Sequence, residues 1–377
     1  MDFFSIFVLV EDFYKFKILK HLCTLPFIKL MKRFFVFLGV VLATIGSAVQ
    51  AQEVDSMAQL QKSSWGDAKT TKISEYIPDV YVHARMGYEH DFLEQVGRFD
   101  TNGLYLGIDG KISPHFSYSF YHCIDTETGG NFLSNTNWLT VSYENDFMAI
   151  TAGKNNVFMG SFEYDGNDID GYWFMNSSIW NTFDTWQWGA SASFYPADDH
   201  ELAIQACNSP LSFGEPSLFA YALAWRGEMD FFESYWTANM WQYDEGSYMK
   251  SLNLANRFSF DDFYIDLEYM TRACDIKNMF KTDFTLMVAP SYDFADWGRV
   301  TGRFGWEKCG EDALFEYGYD GSYLFYGLAA EFFPVKNYKD LRLHAAWGHG
   351  CNRPHILNIG VTWKFSLTQA IKNILGR

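Results

Sequence analysis

The feature that most constrains the fold of this chain is an alternation of apolar and polar residues that recurs from residue 78 onward. In the last such segment every second residue is apolar, at Leu357, Ile359, Val361, Trp363 and Phe365. Successive side chains of a β-strand point to opposite faces, so this period places one face in an apolar medium and the other in water. The alternation therefore predicts an all-β fold.

Sixteen segments of this kind occur, each about ten residues long, which is the length that crosses an outer membrane at a tilt. They predict strands at 79–89, 102–112, 115–124, 136–143, 147–154, 185–195, 200–208, 218–227, 231–242, 249–259, 262–273, 282–292, 298–308, 321–333, 340–349 and 355–366. Bacterial outer-membrane barrels have an even number of strands. The sequence thus predicts a transmembrane antiparallel β-barrel with 16 strands.

The links between these segments alternate in length. Links after even-numbered strands are mostly short, as at 144–146, whereas the longer links follow odd-numbered strands, at 90–101, 125–135, 155–184 and 309–320. This alternation is typical of barrels with periplasmic turns and extracellular loops. A soluble β-sandwich has no reason to keep this alternation of link lengths. If this chain were such a sandwich, its many outward aromatic residues would cause aggregation in water.

Composition excludes several other classes of protein. Aromatic residues make up 19% of the chain, which excludes disorder because disordered chains lack them. The net charge of -17 argues against a nucleic-acid partner, since binding to phosphates requires a basic face. Beyond the N-terminal region no uninterrupted apolar run reaches the ~20 residues that a membrane-spanning helix needs.

The N-terminal region predicts export. Lys32 and Arg33 precede a short apolar stretch at 34–45, and small residues follow up to Ala51. A basic region, a short apolar region and a small-residue cleavage site together indicate a secretory signal. We therefore predict an N-terminal extension and signal peptide at 1–51 with the signal at 31–51, a periplasmic segment at 52–77, an outer-membrane barrel at 78–366 and a C-terminal tail at 367–377. Two interpretations of residues 1–30 stay open, translation from Met31 or a long basic region of the signal.

Because every second side chain of a strand faces the interior, the alternation predicts charged residues of both signs in the lumen. The predicted pore-lining basic residues are Arg85, Lys111, Arg226, Arg257, Arg272, Arg299, Arg303, Arg342 and Lys364. Inward carboxylates are predicted at Glu89, Asp109, Glu233, Asp266, Glu268, Glu307 and Glu331. Guanidinium groups offer fork-shaped donors that can guide anions, but mixed charges also pair across strands and merely solvate a lumen. Both interpretations stay open at this point.

The longest link predicts a constriction. Its carboxylates Glu163, Asp165, Asp168 and Asp170 lie among many aromatic residues. A sixteen-stranded barrel is wide enough for an aqueous channel. If this link folds into the barrel, its carboxylates narrow the lumen opposite the basic wall, and the resulting transverse field favours small polar solutes.

Two segments resemble known outer-membrane proteins. The motifs GSFEYD at 160–165 and DIDGY at 168–172 resemble Bacteroidetes porins of the phosphate-selective porin O/P family, although Ser161 and Asp168 stand where that family has Gly and Pro. The last strand resembles the closing strand of outer-membrane proteins, which implies that Trp363 and Phe365 act as an assembly signal. The resemblance implies a location in the outer membrane of a Gram-negative bacterium. Its implied partners are outer-membrane lipid and lipopolysaccharide, the barrel-assembly machinery and small polar or anionic solutes, with a homotrimer among the oligomeric states considered.

The predicted function is a passive porin channel for small hydrophilic solutes or ions, with anions such as phosphate among them. Neither a nucleophile elbow nor a phosphate-binding loop occurs, so we predict no enzyme activity and no cofactor. We also predict no metal site: Ile169 offers no oxygen donor at the fifth position of an EF-hand-like spacing, and His349, Cys351 and His355 lack a fourth ligand. The main rival is a closed-lumen barrel for surface binding or adhesion, and an outer-membrane enzyme is a weaker one.

Cysteine pairing stays open. Five cysteines lie beyond the signal, namely Cys123, Cys207, Cys274, Cys309 and Cys351. Because the number is odd, at least one of them does not take part in a disulfide within the chain.

Overall fold

A computed structural model describes residues 76–124, 132–164, 168–177, 183–212, 218–280, 283–308, 321–336, 338–350 and 353–374. The strands form one closed antiparallel barrel in which each strand pairs with its neighbours in sequence and the last pairs with the first. The strands are β1 Asp79–Asp91, β2 Val96–Ser113, β3 Phe116–Cys123, β4 Thr136–Asn145, β5 Met148–Asn156, β6 Trp186–Ala197, β7 His200–Asn208, β8 Phe219–Met229, β9 Phe232–Asp244, β10 Ser247–Phe260, β11 Phe263–Ala273, β12 Asp283–Ala295, β13 Gly298–Lys308, β14 Ser322–Phe332, β15 Leu341–Gly350 and β16 Arg353–Ser366. The predicted 16-strand antiparallel barrel is thus confirmed.

The two faces of the wall differ as the alternation predicts. On β16 the apolar Ile359 is 50% exposed, whereas the neighbouring Asn358 is 2% exposed. On β15 Trp347 is 38% exposed and the neighbouring Ala346 is 1% exposed. The apolar side chains therefore face outward, where lipid can cover them, and the polar side chains fill the interior.

One predicted loop is wrong. The link at 90–101 is largely strand, because β1 continues to Asp91 and β2 already begins at Val96. The Asp91 side chain accepts hydrogen bonds from the backbone amides of Leu93 (2.8 Å) and Glu94 (3.0 Å), which closes a tight turn. A register shift beside Arg85 then restores the pairing of the two strands.

The two ends of the barrel differ in their connections. One end has tight turns, such as the turn between β4 and β5 at Asp146 and Phe147, and one longer link between β14 and β15. At the other end the link between β5 and β6 is by far the longest, but β9–β10 and β15–β16 are joined tightly. The predicted loop 309–320 lies outside the described residues.

The chain divides into two units. Val54–Ile371 form one compact unit that contains all sixteen strands. The second unit, Met1–Glu53 with Lys372–Arg377, lies outside the described residues apart from 372–374, so the signal and the periplasmic segment stay predictions. A helix, α1 Leu367–Ile374, forms most of the predicted tail. In the part of the chain that the structure describes, no helix is both long and apolar enough to span a membrane.

The seam between β1 and β16 depends on two facing glycines. Gly87 and Gly360 are paired directly across the seam. A Cβ atom on Gly360 would lie 2.3 Å from the Met86 carbonyl oxygen and 2.9 Å from the Gly87 Cα atom. No side chain fits at that separation, so the strands that close the barrel can approach fully only with glycine there.

We expect Gly360→Val to impair closure. Overpacking costs about 1–3 kcal/mol, and here it acts on the backbone of the closing strand. The folded fraction, measured by heat-modifiable mobility in gel electrophoresis, should fall. Gly302→Val is the matched control, because a Cβ atom on Gly302 meets only Pro290, at 3.5 Å. Equal folded fractions of the two variants would contradict this account of the seam.

Candidate functional site

The long link between β5 and β6, residues 157–185, is called the inner loop below. Its described residues are 157–164, 168–177 and 183–185, and most of them pack against the inner face of the barrel. It contains three short 3-10 turns, Phe162–Tyr164, Asp168–Asp170 and Trp173–Met175. Its described residues contact inward side chains of β1–β3, β7–β11 and β13–β16. The inner loop therefore narrows the lumen, and its contacts define the candidate site.

A carboxylate of β11 holds the first turn of the inner loop. Glu268 accepts hydrogen bonds from the backbone amides of Phe162 (3.0 Å) and Glu163 (3.3 Å) and from the Ser161 hydroxyl. Asn253 of β10 also donates to the Met159 carbonyl oxygen. Buried amides need acceptors and buried carbonyl oxygens need donors, so Glu268 and Asn253 replace the water that the entering loop loses.

Glu163 links the two halves of the inner loop to the wall. Its side chain is 3% exposed and lies 3.2 Å from Arg303 of β13. It also accepts hydrogen bonds from the backbone amide and the hydroxyl of Ser177, both at 2.7 Å. Burial raises the pKa of Glu163, and Arg303 opposes that rise. Arg303 also donates a hydrogen bond to the Asn176 side chain. This arginine therefore binds both halves of the inner loop to β13.

Asp170 forms the second ionic anchor. It lies 2.6 Å from Arg342 of β15 and 2.5 Å from Lys364 of β16. Burial by itself would raise the pKa of Asp170, but Lys364 and Arg342 outweigh it and hold the pKa well below its usual range. Arg342 also lies 3.0 Å from Glu331 of β14, which accepts a hydrogen bond from the Tyr172 hydroxyl. The result is a network of alternating charges between loop and wall.

Arg85 of β1 completes this network. It donates to the Gly171 carbonyl oxygen and to the Thr362 hydroxyl (3.1 Å). Its guanidinium lies 4.6 Å from the centre of the Tyr172 ring, a cation–π geometry. Arg85 is 3% exposed and joins the inner loop, at Gly171, to the wall, at Thr362.

Small wall residues receive the large side chains of the inner loop. Phe162 packs on Ala203, Ala224 and Ala255, and Phe174 and Met175 pack on β14–β16. A Cβ atom on Gly348 would lie 2.5 Å from Met175, so only glycine leaves room for it. The wall is therefore complementary in shape to the inner loop.

Two further apolar clusters fix the ends and the middle of the inner loop. Val157, Met159 and Phe183 pack in a cluster with Trp241 and neighbouring side chains of the wall. Ile169 is 1% exposed among three tyrosines of β1–β3, Tyr81, Tyr105 and Tyr121.

The predicted basic residues are mostly engaged by protein groups. Arg85, Arg303, Arg342 and Lys364 bind the inner loop. Four others contact wall residues. Arg257 and Arg299 form ion pairs, with Asp266 at 2.6 Å and with Asp293 at 2.5 Å. Arg272 donates a hydrogen bond to Thr285 at 2.9 Å, and the guanidinium of Arg226 lies 3.8 Å from the Tyr235 ring centre. Lys111 is exposed near one end of β2.

The predicted constriction residues lie differently from the expectation. Glu163 and Asp170 contact the basic wall directly, whereas the sequence suggested that they face it across the lumen. A carboxylate loses water on entering the barrel, and direct ion pairing offsets that loss. Asp165 and the side chain of Asp168 lie outside the described residues.

The remaining predicted residues include the terminal aromatics. Trp363 and Phe365 belong to β16, and their ring centres are 4.9 Å apart; their role in assembly stays a prediction. No disulfide joins Cys123, Cys207 or Cys274 to one another, and Cys309 and Cys351 lie outside the described residues. Within the described ranges, no group of three His, Cys, Asp or Glu side chains could hold a metal ion.

Sequence reasoning did not identify Glu268 as a loop anchor or the small residues as a docking surface. A signal for the docking surface was present, because Ala220, Ala222 and Ala224 occupy three successive inward positions of β8. Such a run leaves space inside a barrel that another segment must fill.

No protein-family model matches the chain, and no curated protein sequence matches it. Solved porins and outer-membrane channels share its fold. The outer membrane channel DcaP of Acinetobacter baumannii has a TM-score of 0.59 at 8% identity, over 79% of this chain and 100% of that chain. OmpT of Vibrio cholerae in a trimer form has a TM-score of 0.53 at 12% identity, over 76% of this chain and 99% of that one. A further porin has a TM-score of 0.52 at 13% identity, over 76% of this chain and 100% of that chain.

We expect Gly348→Val to displace the inner loop from β15. The added methyl groups would overlap Met175, so the amides of Met175 and Asn176 should lose protection. Hydrogen-exchange mass spectrometry in detergent should show faster exchange in residues 169–177 and unchanged exchange in β7–β10. Gly302→Val, on the outward face of β13, serves as the control. Unchanged exchange of the inner loop in Gly348→Val would refute the docking described above.

Proposed function

We propose that this protein is a passive porin of the outer membrane, which lets small hydrophilic solutes diffuse through its lumen past the inner loop. The observation that carries the proposal is the position of the inner loop, anchored to the wall by Glu268, Arg303 and Arg342. Sixteen strands enclose more space than wall side chains can fill, so a loop that folds inward sets the size limit.

Charge pairing supports a channel of weak ionic preference. Glu163 and Asp170 of the inner loop each face basic groups at 3.2 Å or less. Arg303 and Arg342 already bind these partners, which leaves the two arginines poorly placed to select phosphate. We therefore propose small neutral and zwitterionic solutes and ions of both signs as the transported class; the resemblance to phosphate-selective porins stays a prediction.

The setting of the channel follows from the same proposal. A barrel with an apolar outer face and a polar interior suits the outer membrane of a Gram-negative bacterium, with lipid and lipopolysaccharide around it. OmpT of Vibrio cholerae occurs in a trimer form, and we propose a homotrimer for this chain too. Cross-linking in detergent at several protein concentrations tests that assembly.

The closed-lumen barrel for binding or adhesion remains the second candidate. The dense packing of the inner loop, in which Ile169, Met159 and Met175 are each 2% exposed or less, favours it. Conductance distinguishes the two candidates.

We expect the wild-type protein to form ohmic channels in planar bilayers. A variant in which residues 160–176 are replaced by a short Gly-Ser linker should show a severalfold larger single-channel conductance, because the described part of the inner loop packs inside the barrel. The control is a linker of the same length that replaces Glu245, in the tight turn between β9 and β10. Silence of the wild type combined with conductance of the shortened variant would favour the closed-lumen barrel.

Ion selectivity should follow the pairing of Asp170. Asp170→Asn leaves Arg342 and Lys364 undercompensated, so the reversal potential in a KCl gradient should shift toward that of chloride. Arg342→Met removes a positive charge beside Asp170 and Glu331. The negative charge then exceeds the positive charge there, so the reversal potential should shift toward that of potassium. Both shifts should shrink as ionic strength rises, because salt screens the field.

Asp244→Asn, at an exposed turn, is the control for this pair of variants. If Asp170→Asn and Arg342→Met shifted the potential in the same direction, the network around Asp170 would not border the ion path.

A further inference from the structure

The inner wall of β4–β6 differs from the basic wall. Its inward positions carry hydroxyls, amides and glycines, namely Thr140, Ser142, Thr151, Gly153, Asn155, Gln187, Gly189, Ser191 and Ser193. Among the described inward positions of these three strands, Glu144 is the only carboxylate or basic group, and it lies beside the tight turn. A solute on this side of the lumen meets neutral hydrogen-bonding groups.

A stack of aromatic rings ends at the edge of this neutral wall. The rings of Tyr105 and Tyr121 are parallel within 2° at 4.8 Å, and those of Tyr121 and Trp138 are parallel within 11° at 4.2 Å. Tyr121 is fully buried between its two neighbours, whereas Trp138 is partly exposed. The Trp138 Nε1 atom donates to the Ser119 hydroxyl at 2.7 Å, which fixes the ring. Trp138 is therefore the last ring of the parallel stack, and the tilted ring of Trp186 contacts it with ring centres 5.5 Å apart at an angle of 46°.

A shallow recess formed by β5, β6 and β7 begins at Asn155, the residue of β5 that lies at the level of Trp138. Gly153 of β5 and Gly189 of β6 are paired with each other and form its floor. A Cβ atom on Gly153 would lie 2.0 Å from the Leu139 carbonyl oxygen, and one on Gly189 would lie 2.4 Å from the Ala206 carbonyl oxygen. The floor therefore consists of bare backbone.

Polar groups border the recess on both sides. Asn155 and Gln187 lie one position farther toward the long-loop end, at the level of Trp138, and Thr151 and Ser191 lie one position nearer the tight turns. Gln187 already donates to the Asp184 carbonyl oxygen and Asn155 already accepts from the Asn156 amide. The Asn155 Nδ2 donor and the Gln187 Oε1 acceptor are the groups of this border that can bind vicinal hydroxyl groups.

We propose that Trp138 and this recess bind the ring of a neutral pyranose sugar on its way through the lumen. This inference rests on the proposed function, because the site lies inside the barrel. A pyranose ring presents apolar C–H groups on a face that can lie on an aromatic ring, and hydroxyls at its edge that fit Asn155 and Gln187. The absence of a charged group among the inward residues bordering the recess favours a neutral solute, since an anion would have no counter-charge there.

Saturation-transfer NMR on the detergent-solubilised protein with maltotriose tests the site without requiring conductance. The wild type should transfer saturation to the sugar C–H protons. Trp138→Ala should weaken binding by about ten-fold, the effect of losing one stacked ring. Trp188→Ala, next to Gly189 but on the 41% exposed outward side, should bind as the wild type does. Sorbitol, a polyol without a ring, should show no transfer.

Assembly of each variant is checked by heat-modifiable mobility. If Trp138→Ala does not assemble, Asn155→Ala replaces it and should weaken binding severalfold. Any of three results would overturn the sugar site. The first is no saturation transfer from the wild type to maltotriose, and the second is equal saturation transfer to sorbitol. The third is equal binding of maltotriose by the wild type and Trp138→Ala, or by the wild type and the replacement variant Asn155→Ala. A wild type that conducts ions but does not bind maltotriose would refute only this inference. A wild type that binds maltotriose without conducting would refute the porin function and leave the site in place.

Discussion

The whole structure depends on satisfying backbone hydrogen bonds where lipid offers none. A sheet in a bilayer must close on itself, because an open edge would leave a row of amides and carbonyls unpaired. Here β16 pairs with β1, and Gly87 and Gly360 let the two strands meet at full contact. Closure fixes which side chains face lipid and which face the interior, so every later feature of the lumen follows from it.

Closure also creates an interior that must be filled or hydrated. The inner loop fills part of it, and the contacts are complementary in size and in charge. Phe162 and Met175 meet alanines and glycines of the wall, while Glu163 and Asp170 meet Arg303, Arg342 and Lys364. A buried ion pair contributes little net stability compared with apolar packing, but breaking one partner is costly. The network therefore holds the inner loop in one position more than it stabilises the barrel.

This use of charge divides the lumen into two unlike sides. Arginines and lysines on β1, β13, β15 and β16 are engaged with the inner loop. The wall of β4–β6 carries hydroxyls, amides and the exposed edge of an aromatic stack. The proposed preference for small uncharged solutes over phosphate rests on this arrangement, with neutralised charge on one side and neutral polar groups on the other.

The sequence by itself determined the strands, their number and the side chains that face lipid, because alternation is a local pattern and a strand has a period of two. It failed at 90–101, where the side chain of Asp91 closes a turn that strand patterning does not reveal. Parity also placed Arg342 and Lys364 on the inner face, but it could not show that both bind Asp170. That contact joins residues 172 and 194 positions apart, and it exists only after the barrel has closed around the inner loop. Only the tertiary structure decided which charges are paired and which part of the wall stays neutral, because desolvation and the geometry of the closed lumen select the partners.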